Sequence, residues 1–565
     1  IFIIMNNSKF LFLAFLFISI ISCRKQTTQY NQNIKEVHIK KNTSSIDYLI
    51  TATSGQNAVD KGMKILENGG SAMDAVLSTS LAEIAETEGK FISYAGYMNL
   101  LYYEAKTGKV HNMNAAFNTI KEESDPLTIP KANYASISKS KTVLNGRTIL
   151  VPGFMKGVEE AHKKFGKIPF HNLFDNAISI AEQGVVWSDL DARKFSSNEN
   201  ILTRFPETKK IFTKPNGSYY QVGDTFRQPE LAKTLKKIST EGADYMYKGE
   251  WGNKFVKKAR QEGSKITLQD LEDYEVIWTN PIHKKYNGFD VYVNGEPSYG
   301  GVSLIESLNF TEISGFSKMK HYSKSDTALA TLYKISNLSN RLTYYPLTVS
   351  SNLDLSNKSR LETNTSKEVW DLFYQSNSKS NGNVKIYKNE HSAAVVAIDK
   401  YGNMATVIHT INTLDWGSNA IFIDGISIPD AACFQQGPIN KAGQGKRLPE
   451  GTTPGIVLKD GMPYLGFSCI GSGLNNQTFV NLISVLDFKM SPIDVVNTPS
   501  IGFMNYSNGH FNLYIAPNQF SDSLITKASK LGGYFIEDKS VINGFWTGIN
   551  IEKDGSIIGT TVWHK

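Results

Sequence analysis

The chain has 565 residues, 41% hydrophobic and 20% charged, with 44 Gly and 18 Pro. That composition is globular and excludes disorder, collagen or coiled coil for the bulk of the chain, while the length allows three or four domains or one large α/β unit. Lys and Arg number 60 against 53 Asp and Glu, and the resulting +7 is too diffuse to mark a nucleic-acid partner. Three cysteines cannot build a disulfide scaffold.

The N-terminal stretch reads as an address. Taking Met5 as the start, Lys9 supplies a weak positive region and Phe10–Ile21 is almost unbroken Phe, Leu and Ile. A run of that length fits a signal core and falls short of the ~20 residues that span a bilayer as a helix. It closes as Ile20-Ile21-Ser22-Cys23, a pattern similar to a bacterial lipobox, in which the Cys thiol is acylated. A plain secretory signal is the alternative. Residues 1–23 are therefore expected to be a lipoprotein signal ending at Cys23. Residues 24–47, polar and rich in Gln, Asn and Lys, read as a tether.

Beyond the tether, helical and strand signals alternate. Ser54–Leu66 puts Ala58, Gly62, Ile65 and Leu66 on one face, and the helix stops at Asn68-Gly69-Gly70. Ser71 is placed to cap a second helix that runs through Glu83. Tyr97–Tyr103 and Val110–Ala115 flank Lys106-Thr107-Gly108-Lys109 and predict a β-hairpin. Val158–Gly166 and Leu173–Gly184 predict helices ending at Gly. Residues 350–390 are dominated by Ser, Asn and Lys except around Trp370–Tyr374, and 375–390 reads as a mobile linker.

A strand signal begins abruptly after that linker. Ser392–Ile398 is small and β-branched, Asp399-Lys400-Tyr401-Gly402-Asn403 is a turn, and Met404–Ile411 is a second strand. A Ser heading a buried strand after a flexible segment is where self-cleavage would create a new N-terminus. Its α-amino group, with a pKa of about 7.7–8.0, can act as base for its own hydroxyl. A hairpin following a loop is the plainer reading. No HExxH, paired CxxC or EF-hand loop is present, so neither a metal nor a cofactor is expected. Gly471-Ser472-Gly473 lacks the Lys-Ser/Thr of a phosphate loop. Glu390-His391-Ser392 cannot act as a triad, because neighbours on an extended chain point to opposite faces. The small-residue turn Ser468–Gly473 can present backbone N–H groups to an oxyanion, or serve only as a tight turn.

The ordered set of motifs resembles the γ-glutamyltranspeptidases, a family of N-terminal-nucleophile (Ntn) hydrolases, over about residues 48–565. Gly62 through Asn68-Gly69-Gly70-Ser71-Ala72-Met73-Asp74-Ala75 is similar to the family's first helix pair. Val151-Pro152-Gly153, Phe165-Gly166-Lys167, Ala181-Glu182-Gln183-Gly184, Thr267 to Tyr274 and Pro297-Ser298-Tyr299-Gly300-Gly301 follow in order. Asp399–Asn403 then leads into Thr410-Ile411-Asn412, and Thr453-Pro454 keeps the spacing to Gly471. The resemblance implies an α+β fold, a four-layer αββα sandwich forming one large domain. Counting back from Asp399 puts the family's nucleophilic Thr at Ser392. Cleavage between His391 and Ser392 would give a large subunit, 48–391, and a small catalytic one, 392–565. By the same resemblance Thr410 orients the nucleophile, the N–H groups of Gly471 and Ser472 form the oxyanion hole, and Asn412 binds substrate.

The departures cluster where γ-glutamate would bind. The family's Arg for the substrate α-carboxylate aligns with Asn114, its Ser pair with Glu450 and Gly451, and its Asp for the α-amino group falls near Ala432–Cys433, with Asp430 close by. Ala393-Ala394 lacks the usual second Thr and His. Asn114, Asp430 and Glu450 are nonetheless the expected substrate contacts. The expectation is a self-processing γ-glutamyltransferase/hydrolase-like enzyme that acylates Ser392 from glutathione or another γ-glutamyl amide and passes the acyl group to water or an amine. It would be lipid-anchored in the bacterial cell envelope, with no nucleic-acid partner. The alternatives are an Ntn acylase for another amide and an uncleaved, non-catalytic surface lipoprotein. Cys469, two residues before Gly471, is expected to be a packed free thiol, with a bridge or a reactive group as the alternatives, and the role of Cys433 is left open.

Overall fold

The computed structural model describes residues 34–39, 48–132, 144–375, 392–471, 474–507, 510–538, 541 and 545–562. Cys23, His391, Ser472 and the expected linker beyond residue 375 lie outside the described residues. All of the described residues fall in one compact unit, 34–565.

Two sheets form its centre. In chain order their strands are β1 (Ile34–Ile39), β2 (Leu49–Ala52), β3 (Tyr97–Glu104), β4 (Lys109–Ala115), β5 (Ile277–Thr279), β6 (Ile282–Tyr286) and β7 (Phe289–Val293). They continue as β8 (Ala393–Ile398), β9 (Met404–Thr410), β10 (Gly455–Lys459), β11 (Met462–Ile470), β12 (Phe545–Ile551) and β13 (Ile557–Val562). The six-stranded sheet runs β2-β8-β9-β3-β4-β5 and the seven-stranded one β1-β13-β12-β11-β10-β7-β6. The expected tether needs one correction. Ile34–Ile39 pairs antiparallel with β13, Ile34 opposite Val562 and Ile39 opposite Ile557, because the exposed edge of β13 offers unpaired backbone groups that an extended chain satisfies.

The sheets face each other through an apolar layer of Leu49, Leu101, Val396, Ile398 and Met404 against Ile456, Leu458, Ile549 and Ile557. Their close approach depends on Gly466 of β11, where a Cβ would stand 2.7 Å from Met404 Sδ and 2.9 Å from Val396 Cγ1. Outside the first sheet lie α1 (Gln56–Glu67) and α2 (Ala72–Glu86); outside the second lie α3 (Gly300–Ser314), α4 (Asp326–Tyr344) and α5 (Leu474–Leu486). The order is therefore helix, sheet, sheet, helix, the four-layer αββα sandwich. α2 is buried along its whole length except at its last residue, Glu86, as a helix covering a sheet beneath further helices must be.

The β8–β9 hairpin is tied to α2 by one side chain. Asp399, in the turn, accepts from the N–H groups of Tyr401 (2.9 Å) and Asn403 (3.0 Å) and from Ala72 N–H (2.8 Å) at the start of α2. A single carboxylate thus closes the turn and satisfies an orphan donor of the helix. Ser71 and Asp74 add a capping box at the same helix end.

Candidate active site

The site is built at the open end of that hairpin. All six residues of β8 are buried. Ala393, Val395 and Ala397 face the helix layer, and Ala394, Val396 and Ile398 face the second sheet. Burying each Val or Ile contributes about 1.5–3 kcal/mol, so a one-residue slip in register is strongly disfavoured. The register sets Ala393 opposite His409, which places Ser392, just before β8, across from Thr410, the last residue of β9. Ser392 is half-buried and Thr410 is 2% exposed. On the other side of the strand pair, His409 Nε2 lies 3.0 Å from Glu83 Oε2, and Ser54 donates to Glu83 Oε1 at 2.7 Å. Burial holds the His409 imidazole down to about 3 and pushes the Glu83 carboxyl well up. Desolvation thus favours the uncharged form of both partners beneath the strand.

Ser392, Thr410, Asn412, Glu450 and Gly471 line one cavity of about 980 Å³. Asn412 follows β9 with φ +50° and donates its N–H to Thr410 Oγ1 at 2.9 Å. Gly471, at φ +93°, stands between β11 and α5, a conformation that suits Gly. The expected Ser468–Gly473 turn begins later than the sequence suggests. Ser468, Cys469 and Ile470 pair with β12 as strand residues, and the chain turns only at Gly471.

Glu450 is 4% exposed. Its carboxylate accepts from Ser298 Oγ, from Thr452 N–H at 2.6 Å and from Thr452 Oγ1. Burial pushes this carboxyl above the usual range, opposed by the hydrogen bonds it accepts. The structure brings two of the expected substrate contacts, Glu450 and Asn412, to the cavity. It does not bring the other two.

Asn114 is 1% exposed and is not in the cavity lining. Its amide donates to Ser298 Oγ (3.1 Å), and its Oδ1 accepts from Ala116 N–H (3.1 Å) and Arg447 Nη1 (2.8 Å). Every polar atom of that side chain is occupied inside the protein, so its expected role as a substrate contact is withdrawn. Asp430 is likewise fully buried and away from the lining. It accepts from Thr413 Oγ1 and from Ser418 N–H at 2.7 Å. Asp430 therefore holds the loop that follows Asn412 and stands outside the cavity lining, and burial pushes its carboxyl up to about 6.

Cys433 and Cys469 are buried and unbridged; burial pushes both thiols up, Cys469 to about 12. Neither has the thiolate character that reactivity requires. Among the described residues no three His, Cys, Asp or Glu side chains converge to suit a metal ion.

Sequence reasoning missed several residues at the cavity. Tyr97 and Tyr299 line it, as do Lys441 and Arg360. Arg360 forms a bidentate pair with Glu306 at 2.9 and 2.8 Å, both side chains almost fully buried. No local pattern marks them, since each comes from a different segment. The Pro297–Gly301 motif is the one sequence signal that points toward Tyr299.

A four-layer αββα sandwich with a hydroxyl residue at the head of a central strand, opening on a cavity, defines an N-terminal-nucleophile hydrolase fold. The solved cephalosporin acylase from Bacillus halodurans shares that fold, with a TM-score of 0.76 at 19% identity over 95% of this chain and 97% of that one. A family model of γ-glutamyltranspeptidase matches residues 58–561, and the chain belongs to the γ-glutamyltranspeptidase family. It is 25% identical to a glutathione hydrolase proenzyme of Bacillus subtilis, over 91% of this chain and 92% of that protein. It is 29% identical to the capsule biosynthesis protein CapD proenzyme of Bacillus anthracis, over 78% and 76%. The expected fold, family and enzyme class are thereby met.

Proposed function

We propose that the protein is a self-processing γ-glutamyl amidohydrolase and transferase whose nucleophile is Ser392. The observation that carries this reading is the antiparallel register setting Ser392 opposite Thr410 at the mouth of a cavity that Gly471 also lines. In the precursor, Ser392 Oγ attacks the His391 carbonyl. The peptide C–N bond breaks, an ester forms, and the α-amino group of Ser392 is released. Water then hydrolyses that ester and leaves Ser392 as a free N-terminus.

In turnover, the α-amino group takes the proton from Ser392 Oγ as it attacks the donor amide carbonyl. Backbone N–H groups at Gly471 and Ser472 bear the charge developing on oxygen, and losing one such donor raises a barrier by about 2.7–4 kcal/mol. The leaving amine departs with the transferred proton. Water or a second amine then attacks the acyl-ester and regenerates the hydroxyl. The Cys23 motif supports placing the enzyme in the bacterial cell envelope as a lipoprotein. The proenzyme names of the relatives support a two-subunit product.

A denaturing gel tests the first step. Wild-type protein should run as two fragments and Ser392→Ala as one intact chain; the full chain is 62.8 kDa. Two bands from Ser392→Ala would assign the cut to another protease. Wild-type protein should also release the aniline from a γ-glutamyl anilide, and failure to do so would remove the activity. A second reading, an acylase for a different amide, is favoured by one observation: Asn114 lies outside the cavity lining. Turnover of N-acyl substrates without γ-glutamyl release would select it.

A further inference from the structure

Behind the strand that carries Ser392 stands a buried polar pair that the chemistry above does not use. Glu83 of α2 and His409 of β9 are both fully buried. The His409 ring packs on Phe154, 5.3 Å between centroids, and its Nδ1 has no hydrogen-bond partner among the described residues. Two ionisable side chains and an orphaned nitrogen in such a layer cost stability. Neither side chain lines the cavity.

Their contacts close a ring around the first residues of β8. Thr53 N–H donates to Ala394 O at 3.0 Å, and Ala394 N–H donates to Thr53 Oγ1 at 2.9 Å. The next residue, Ser54, donates to Glu83 Oε1 at 2.7 Å, and Glu83 Oε2 meets His409 Nε2 at 3.0 Å. His409 in turn lies directly across the ladder from Ala393. The chain turns at Gly55, φ +70°, where a Cβ would stand 2.9 Å from Glu83 Cγ, an approach that suits Gly. The path Ala394, Thr53, Ser54, Glu83, His409, Ala393 thus grips the two residues after Ser392 from both sides. A chain end frays unless it is tied down, and the small methyl groups of Ala393 and Ala394 offer little apolar area to hold one.

We infer that Glu83 and His409 are positioning residues: through this ring they hold the Ser392 terminus in register once its bond to His391 has been cut. The inference rests on the Ser392 reading above.

The test uses the full-length protein, self-cleavage on a denaturing gel, and aniline release from a γ-glutamyl anilide. Glu83→Leu combined with His409→Phe replaces the pair by apolar groups that keep the layer filled. This double variant should fold and cut itself, yet show kcat about tenfold lower with KM within about twofold of wild type. Thr53→Val, which removes the acceptor for Ala394 N–H, should give the same split from the other side of the strand. Glu83→Gln can still accept from Ser54 and donate to the neutral imidazole, and should keep kcat within about twofold of wild type. Hydrogen exchange in the peptide that begins at Ser392 should quicken in the two slow variants and stay unchanged in Glu83→Gln. A double variant with wild-type kcat overturns the inference, as does a Glu83→Gln variant equally slow. A kcat loss accompanied by an equal loss of self-cleavage, or failure of both the double variant and Thr53→Val to fold, makes the ring a stability element and overturns it too. Wild type that neither cuts itself nor releases aniline removes the Ser392 reading instead.

Discussion

The two sides of the cavity are built by different rules. The nucleophile side is the head of a hairpin whose strands are buried on both faces, so register and alternation place Ser392 and Thr410. The opposite wall comes from the helix Gln436–Ala442 and the segment through Thr452. A small apolar cluster of Tyr97, Phe117, Ala431, Ile439 and Leu448 anchors it, and its functional groups are set by individual polar contacts. A strand slip on the Ser392 side would move everything at once, whereas the wall changes one residue at a time. The two sides of one cavity are thus separately mutable elements.

That contrast predicts where substitutions hurt. Ser392→Ala should lower kcat at least about 10³-fold, while Ser392→Thr, which keeps a β-hydroxyl, should retain turnover; aniline release from a γ-glutamyl anilide measures both. A stability effect follows elsewhere in the cavity lining, at Arg360. Arg360→Met leaves Glu306 buried without its partner and should cost about 3–5 kcal/mol in urea unfolding, and adding Glu306→Leu should recover much of it.

Asp430 is predicted to give a pH signature. Its carboxyl is raised by burial to about 6 in the folded protein, against about 3.9 when unfolded. The folded state therefore binds the extra proton, and this contribution to stability is present below about pH 4 and is lost as pH rises through 6. Asp430→Asn should gain on the wild type between pH 4.5 and 7.5 by at most about 3 kcal/mol, read from urea midpoints. A constant difference across that range would sink the assignment. The smallest effect expected is Arg447→Lys. The guanidinium donates to Asn114 Oδ1 and O at 2.8 and 2.7 Å and to Asn118 Oδ1 at 2.7 Å. A lysine cannot reproduce that fork, and the loss should be about 1 kcal/mol of stability with little change in kcat.

The hairpin was legible because its signals are local. Small and β-branched residues in Ser392–Ile398, the Asp399–Asn403 turn and the following strand are neighbours in sequence, and neighbours determine strand and turn conformation. Ser71 as a cap and Gly69 at a helix end, φ +86°, were readable for the same reason. Asn114 and Asp430 misled, because alignment gives a position along the chain and not a side-chain direction. Asn114 is closed off by Ser298 and Arg447, residues 184 and 333 positions away. Asp430 is drawn inward by Thr413 and Ser418. Neither set of partners could be inferred from composition or spacing.

By itself the sequence determined the strand that carries Ser392, the turn that ties it to α2, and the family to which the chain belongs. These depend on periodicity and short-range hydrogen bonding, which residue order encodes directly. Only the tertiary structure decided which polar side chains reach the cavity. It set Glu450 and Lys441 into one lining and matched Arg360 to Glu306. It also turned Asn114 and Asp430 away. The reason is physical: a side chain's charge acts on a ligand only where folding leaves it without a closer partner, and that partner is chosen by residues far away in the chain.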